Sequence, residues 1–270
     1  MPLSSPRPFT ELLVLVFLNV HTAYVLFAAL AFWIFHRWTP RWLLSRRIGP
    51  GPVSSTQVRR ELLSSVTSLI IIGLMGLAMY GLAQSGMSRL YSDNRYGAVW
   101  FVVSIPVMLV IHDTYFYWMH RFMHWKPVFK HVHRLHHMSR DPSPLCAFTL
   151  NPLEVLLEMT PPGLIMMTLP VHDSAFLLFV TFQVFVNIIG HLGFELYPKS
   201  FVRSPLGKLF NSTTYHHLHH HKPDTNYSFY FNFWDRLMGT NHPHYEATFE
   251  TVVNRAPMAG QSPKLASQSE

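Results

Sequence analysis

Long apolar runs separated by short basic or polar segments dominate the chain. Four runs, at 10–35, 62–83, 98–119 and 174–192, are long enough to cross a bilayer as helices, which takes about 20 residues. The second run carries Gly73, Gly76 and Ala78, small residues that let helix backbones approach closely in lipid. A fifth apolar stretch at 152–169 is interrupted by Pro161, Pro162 and Gly163. It is just long enough to span, and its interruptions fit a broken or re-entrant helix equally well. No internal repeat is visible. The pattern predicts an all-α, multi-pass transmembrane bundle.

Basic residues orient it, because short cytoplasmic loops collect lysine and arginine. The loop after the first run holds Arg37, Arg41, Arg46, Arg47, Arg59 and Arg60, whereas 84–97 holds only Arg89 and Arg95. The segment after His120 is again basic, and so is the start of the tail with Lys199, Arg203 and Lys208. A hairpin of the fifth stretch and the last run, turning near 171–173, reconciles these assignments. The N-terminal run is too long for a signal peptide and reads as an uncleaved anchor. Residues 1–97 then form an N-terminal two-span unit and 98–255 a catalytic domain with a histidine-rich cytoplasmic cap. Residues 256–270, like 2–8, are Pro/Ser-rich and expected to be frayed.

Composition agrees with a membrane protein. Charged residues make up 13% of the 270, about half the share in a soluble domain. The net charge of +7 lies in segments flanking apolar runs, so it reads as topology and not as a nucleic-acid footprint. A single cysteine, Cys146, excludes an internal disulfide.

The 18 histidines are the unusual feature: seven fall between His112 and His137 and five between His216 and His221. His120 and His124 are four apart. His133, His136 and His137 form one HxxHH, and His216, His219 and His220 form another. Residues three or four apart share a helix face, so two rings can reach one metal ion. Adjacent rings diverge and can serve two ions. Eight histidines at such spacing exceed one coordination sphere, so two ions are expected. Without metal, clustered imidazoles repel when protonated, and the neighbouring sequence offers no matching carboxylates. His191 emerges on the same side as the three motifs and is a further candidate ligand. Asn187, four residues earlier, is a candidate for direct or water-mediated binding. His21, His36, His172, His242 and His244 read as interfacial polar residues.

On the third helix Asp113, Tyr117, His120 and His124 form one stripe at about 100° per residue. A carboxylate inside a membrane helix is costly and marks function by default. Asp113 and Tyr117 are therefore the candidate catalytic residues, Asp113 by hydrogen-bonding a histidine from outside the metal sphere.

These residues resemble the fatty acid hydroxylase and sterol desaturase superfamily of membrane non-haem di-iron enzymes. HDTYFYWMHRFMH, HRLHH and HHLHH match its three histidine boxes in order. HLGFELYP and NYSFYFNFWDRLMGT resemble its later segments, so the likeness covers roughly 98–240. The resemblance implies His120, His124, His133, His136, His137, His191, His216, His219 and His220 as ligands. Some members carry histidine at the Asn187 position, which leaves one metal a ligand short here. His217 stands where aspartate is common and is not counted. Hydroxylation, desaturation or oxidative demethylation of lipid C–H bonds is implied.

Imidazole suits zinc, copper, iron and nickel. A metal pair facing an apolar interior, without HExxH, favours two irons using O2 on a lipid over a zinc hydrolase. A metal transporter would place its histidines along the bilayer and not at one end. No GxGxxG or CxxCH is present, so electrons are expected from a separate ferredoxin or cytochrome b5 type protein. The tail lacks a lysine-based retrieval signal, which leans the reading towards a bacterial inner membrane over the ER.

Overall fold

The computed structural model describes residues 9–256; the segments 2–8 and 257–270, expected to be frayed, lie outside the described residues. The described chain is helical, with isolated bridges and no strand among the described residues. Its helices are α1 (Phe9–Phe32), α2 (Arg41–Leu44), α3 (Ser55–Leu82), α4 (Gly97–Met123), α5 (Lys126–Val132), α6 (Arg134–His137), α7 (Pro152–Glu158), α8 (Thr160–Thr168), α9 (Asp173–Gly190), α10 (Thr213–His221), α11 (Phe233–Leu237) and α12 (Tyr245–Val253). Wider helical turns prolong α1 to Trp38 and α3 to Met87.

Four segments are long and apolar enough to cross a membrane: Val20–Trp38, Ser55–Met87, Gly97–Met123 and Asp173–Gly190. They match the four predicted runs. The fifth stretch is broken: α7 ends at Glu158 and α8 starts at Thr160, with Pro161 and Pro162 in its first turn. Proline lacks an N–H and is tolerated there, whereas it would disrupt a continuous helix. The two pieces still run the length of the bundle. Glu154 of α7 accepts a hydrogen bond from His133, and at the other end Arg89 N–H donates to Met166 O at 2.8 Å. The turn at Val171 is tied there too, by Tyr91 N–H at 3.1 Å.

One apolar cluster joins α1, α3, α9 and the short helical turn Pro144–Phe148 through Tyr24, Ala28, Ile72, Phe148 and Ile188. Tyr24 donates to Leu145 O and to Ser65 Oγ, both at 2.9 Å, which pins that turn against α1 and α3. A second joins α4, α8 and α9 through Met108, Ile165, Ala175 and Phe179. Gly73 and Gly76 are buried on α3, as expected for small residues at a helix contact. Beyond the histidine end, Phe201, Tyr215, Tyr245 and Phe249 form the core of a small cap. Burial of each such side chain away from water is worth about 1.5–3 kcal/mol.

Candidate metal centre

Helix ends bring the histidines together. α4 terminates at Met123 and delivers His120 and His124; α5 and α6 turn back with His133, His136 and His137. α10 is capped by Ser212, whose hydroxyl accepts from Tyr215 N–H, and its first turn is held by Glu195. That carboxylate accepts from Thr214 N–H at 2.9 Å and Thr214 Oγ1 at 2.7 Å. A carboxylate at a helix N-terminus satisfies free N–H groups and complements the helix dipole.

The imidazoles gather into two adjoining groups. His120, His124, His133, His137 and His219 form one, and His136, His191, His216 and His220 form the other. The adjacent pairs His136/His137 and His219/His220 are each divided between the groups, as diverging neighbours on a helix must be. Within the first group Nε2–Nε2 separations are 3.0 Å for His120/His133, 3.3 Å for His120/His124, and 3.1 Å for His124/His219, His133/His137 and His137/His219. In the second they are 3.2 Å for His136/His191, 3.0 Å for His191/His216 and 3.2 Å for His216/His220.

The opposite ring nitrogens show that the contact of His120 with His133 is not an ordinary hydrogen bond. His120 Nδ1 donates to Tyr227 O at 2.7 Å, His219 Nδ1 to Thr225 O at 2.6 Å and His191 Nδ1 to Asn187 O at 2.7 Å. His133 Nδ1 donates to the Glu154 carboxylate. A carbonyl only accepts, so the proton is on Nδ1 and a bare lone pair is on Nε2. The contact of His120 with His133 therefore sets lone pair against lone pair, which is repulsive unless a cation lies between. Metal–nitrogen bonds of about 2.1 Å place neighbouring ligands about 3.0–3.4 Å apart. The donor set, its spacing and its tautomers fit two imidazole-bound ions.

Burial also prepares the rings. It is the first cause that pulls His133, His136, His137, His216 and His220 well below the ordinary histidine range, with neighbouring imidazoles adding to it. His191 and His219 are lowered to about 4, again chiefly by burial. All are neutral at pH 7. The unfolded chain binds protons at histidine from about pH 6.5 downward, whereas the folded rings refuse them until about pH 4. Stability of metal-stripped protein is thus full above pH 6.5 and is expected to fall as the pH drops through 6.5 towards 4. Thermal melts across that window check this; a flat melting temperature would contradict it.

The supports around the rings come largely from one segment. Asp235 Oδ1 and Oδ2 accept from Tyr227 N–H at 2.9 Å and Ser228 N–H at 2.8 Å. Asp113 Oδ1 accepts from Phe229, Tyr230 and Phe231 N–H at 3.0, 2.6 and 3.4 Å. Two buried carboxylates thereby fasten the loop whose carbonyls orient His120 and His219. The expectation that Asp113 bonds a histidine is corrected: three convergent backbone N–H groups, costly to leave unpaired inside a protein, take that oxygen instead. Tyr117 is fully buried, and its hydroxyl lies 3.0 Å from Thr240 Oγ1 and accepts from Arg121 at 3.2 Å. It braces the cap. Asn187 donates through Nδ2 to Ala147 O at 2.8 Å, and its own carbonyl holds His191.

The expectation that no carboxylate accompanies the motifs is also corrected. Glu154 bonds His133 while its other oxygen accepts from Asn151 N–H at 3.3 Å, closing a capping box at the start of α7. Glu154, Asp235 and Glu195 were not singled out in the sequence. An acidic residue inside the apolar stretch 152–169 was the available signal for Glu154. His217 and His221 face Asp141 instead, at 3.3 and 3.0 Å. Both rings can donate to that carboxylate, so no ion is needed there. His36, read as interfacial, bonds Leu192 O at 3.0 Å beside His191.

The sequence model of the fatty acid hydroxylase family matches residues 105–240. This stretch contains all nine histidines and the Asp113 and Asp235 supports. The chain belongs to the fatty acid hydroxylase family. Among similar proteins of this kind, human lathosterol oxidase is 31% identical over 188 residues, covering 68% of this chain and 61% of the relative. A methylsterol monooxygenase of Aspergillus fumigatus is 37% identical over 141 residues, covering 50% and 46%. A Delta(7)-sterol 5(6)-desaturase of the same fungus is 27% identical over 255 residues, covering 87% and 76%. The chain spans a little over 60% of the length of the lathosterol oxidases it matches. No solved structure matches it. The family match includes the metal-ligand groups but stops short of α1, α3 and α12.

Proposed function

We propose that the protein is a membrane di-iron oxygenase that hydroxylates or desaturates an unactivated C–H bond of a sterol-type lipid. The observation that carries this reading is the pair of all-imidazole groups whose ring nitrogens face one another at 3.0–3.3 Å. Their position at the end of an apolar bundle supports a lipid substrate, as do the sterol enzymes among the relatives.

The nine histidines hold the ions, and Asn187 supports His191 through its carbonyl. Non-haem iron supplies the O2 and one-electron chemistry that such a carbon requires. Tyr227, Thr225, Asn187 and Glu154 hold protons on the outer ring nitrogens, which keeps the inner lone pairs directed at the ions. Phe116, Met119, Met123 and Val132 exclude water beside the first group. Electrons reach the site from a separate ferredoxin or cytochrome b5 type carrier at the cytoplasmic face. Arg46, bonded to Tyr197 O at 2.9 Å, and Arg60, bonded to Ser139 at 3.0 Å, lie at the histidine end. This basic end is the one the positive-inside rule turns to the cytoplasm, in a bacterial inner membrane or the ER.

Protein purified without added zinc is expected to contain about two irons per chain, the loading of the paired groups. Given a reduced carrier and lipid, it is expected to consume O2 and yield an oxidised lipid. Metal-loaded protein with no O2 uptake across a sterol and fatty-acyl panel would overturn the reading in favour of a hydrolase or transporter.

A further inference from the structure

α5 and α6 follow one another with only His133 between them, and they have two unlike sides. One side carries Val132, His133, His136 and His137, all buried. The other carries Lys126, Lys130 and Arg134, each exposed and four residues from the next. The row continues to Met138, which is 50% exposed. Trp125, 61% exposed, stands before it and exposed Arg140 after it. No acidic residue lies between Asp113 and Asp141, and Asp141 is engaged by His217 and His221. Lys126, Lys130, Arg134 and Arg140 have no side-chain hydrogen bond or ion pair among the described residues. Cations elsewhere do: Arg95 pairs with Asp93 and Arg203 with Glu250. Like charges four apart on a helix repel, so this row works against the very segment that presents three of the nine histidines.

We propose that this outer face is the docking surface of an acidic one-electron carrier protein. This rests on the oxygenase reading above and adds where the carrier sits. Unpaired basic groups around an exposed methionine and tryptophan fit a partner with an acidic surface around a small apolar centre. Charge complementarity of that kind steers encounter and fixes register, and Met, Trp and Arg are enriched in protein interfaces. The position also suits the electron. His133 and His137 lie across the same helical turns, so the face stands one helix thickness, about 10 Å, from the rings. Each carrier leaves oxidised by one electron. Two visits supply the two electrons that, with one O2 and two protons, turn a C–H into C–OH and water. A lipid surface fits this face less well, because a helix lying among headgroups turns its apolar side to the acyl chains. Here the apolar side is turned into the protein, and from Lys126 to Arg140 the exposed apolar residues are Pro127 and Met138.

The test measures binding of two acidic probes, the oxidised haem domain of cytochrome b5 and a [2Fe–2S] ferredoxin, to the full-length protein in phosphatidylcholine nanodiscs. At least one probe is expected to bind, and to weaken steeply as salt rises from about 0.01 to 0.15 M. Lys130→Glu with Arg134→Glu is expected to weaken it about tenfold or more at low salt, with metal content unchanged. Lys199→Glu with Lys208→Glu makes the same change in net charge on the cap and is expected to alter binding by less than about twofold. Equal losses in the two pairs overturn the proposal, as does a wild type that binds neither probe. Unchanged probe binding in the Lys130/Arg134 pair, with less phosphatidylglycerol retained on purification, assigns the face to headgroups instead. Lipid oxidation driven by dithionite separates the two readings. If it proceeds while neither probe binds, the docking face fails and the oxygenase stands. Selective docking without lipid oxidation under any reductant does the reverse.

Discussion

Replacing His219 with alanine is expected to abolish turnover, by about a thousandfold or more, while the protein still inserts and folds. His219 sits among the first five rings, 3.1 Å from both His124 and His137, so its loss opens that group directly. Outer supports alone typically change metal affinity or activity by 10–100-fold, and a direct ligand exceeds that. His136→Ala, His137→Ala and His220→Ala should behave alike. The informative control is His217→Ala, on the same helix two residues away. Its ring faces Asp141, so that variant should keep both metals and most activity. Metal content by elemental analysis, read beside turnover, decides the matter. Retained activity in two of the four ligand variants would refute the assignment.

The second large effect belongs to Glu154. Glu154→Leu leaves the Nδ1 proton of His133 without an acceptor in a fully buried place. That costs about 1–3 kcal/mol and is expected to lower metal affinity or activity by about 10–100-fold. Glu154→Gln, which keeps an amide oxygen as acceptor, should fall between. Because the two side chains act as one unit, Glu154→Leu in a His133→Ala background should add much less than it does alone. Equal losses in both backgrounds would show that Glu154 acts on the fold and not through the ring.

The spans and the histidine groupings were legible because both rest on local periodicity. Runs of about twenty apolar residues and ligands three or four apart need no knowledge of what packs where. The role of Asp113 was not legible. Helix geometry gave its depth and face but said nothing of a loop more than a hundred residues later folding over it. Glu154 escaped for a related reason: it lies 21 residues from His133 in a stretch judged only by hydropathy. The fifth stretch stayed ambiguous because Pro161 and Pro162 are compatible with either a break or an end. Its tie to Arg89 through Met166, a contact between distant segments, fixes where its end lies.

The loop at 225–231 hangs from two acidic hooks, one on α4 and one on α11, and steadies rings in only one of the two groups. His191, in the other group, leans on its own helix. The two histidine groups are thus sprung separately, so a disturbance of that loop loosens one while its neighbour stays in place.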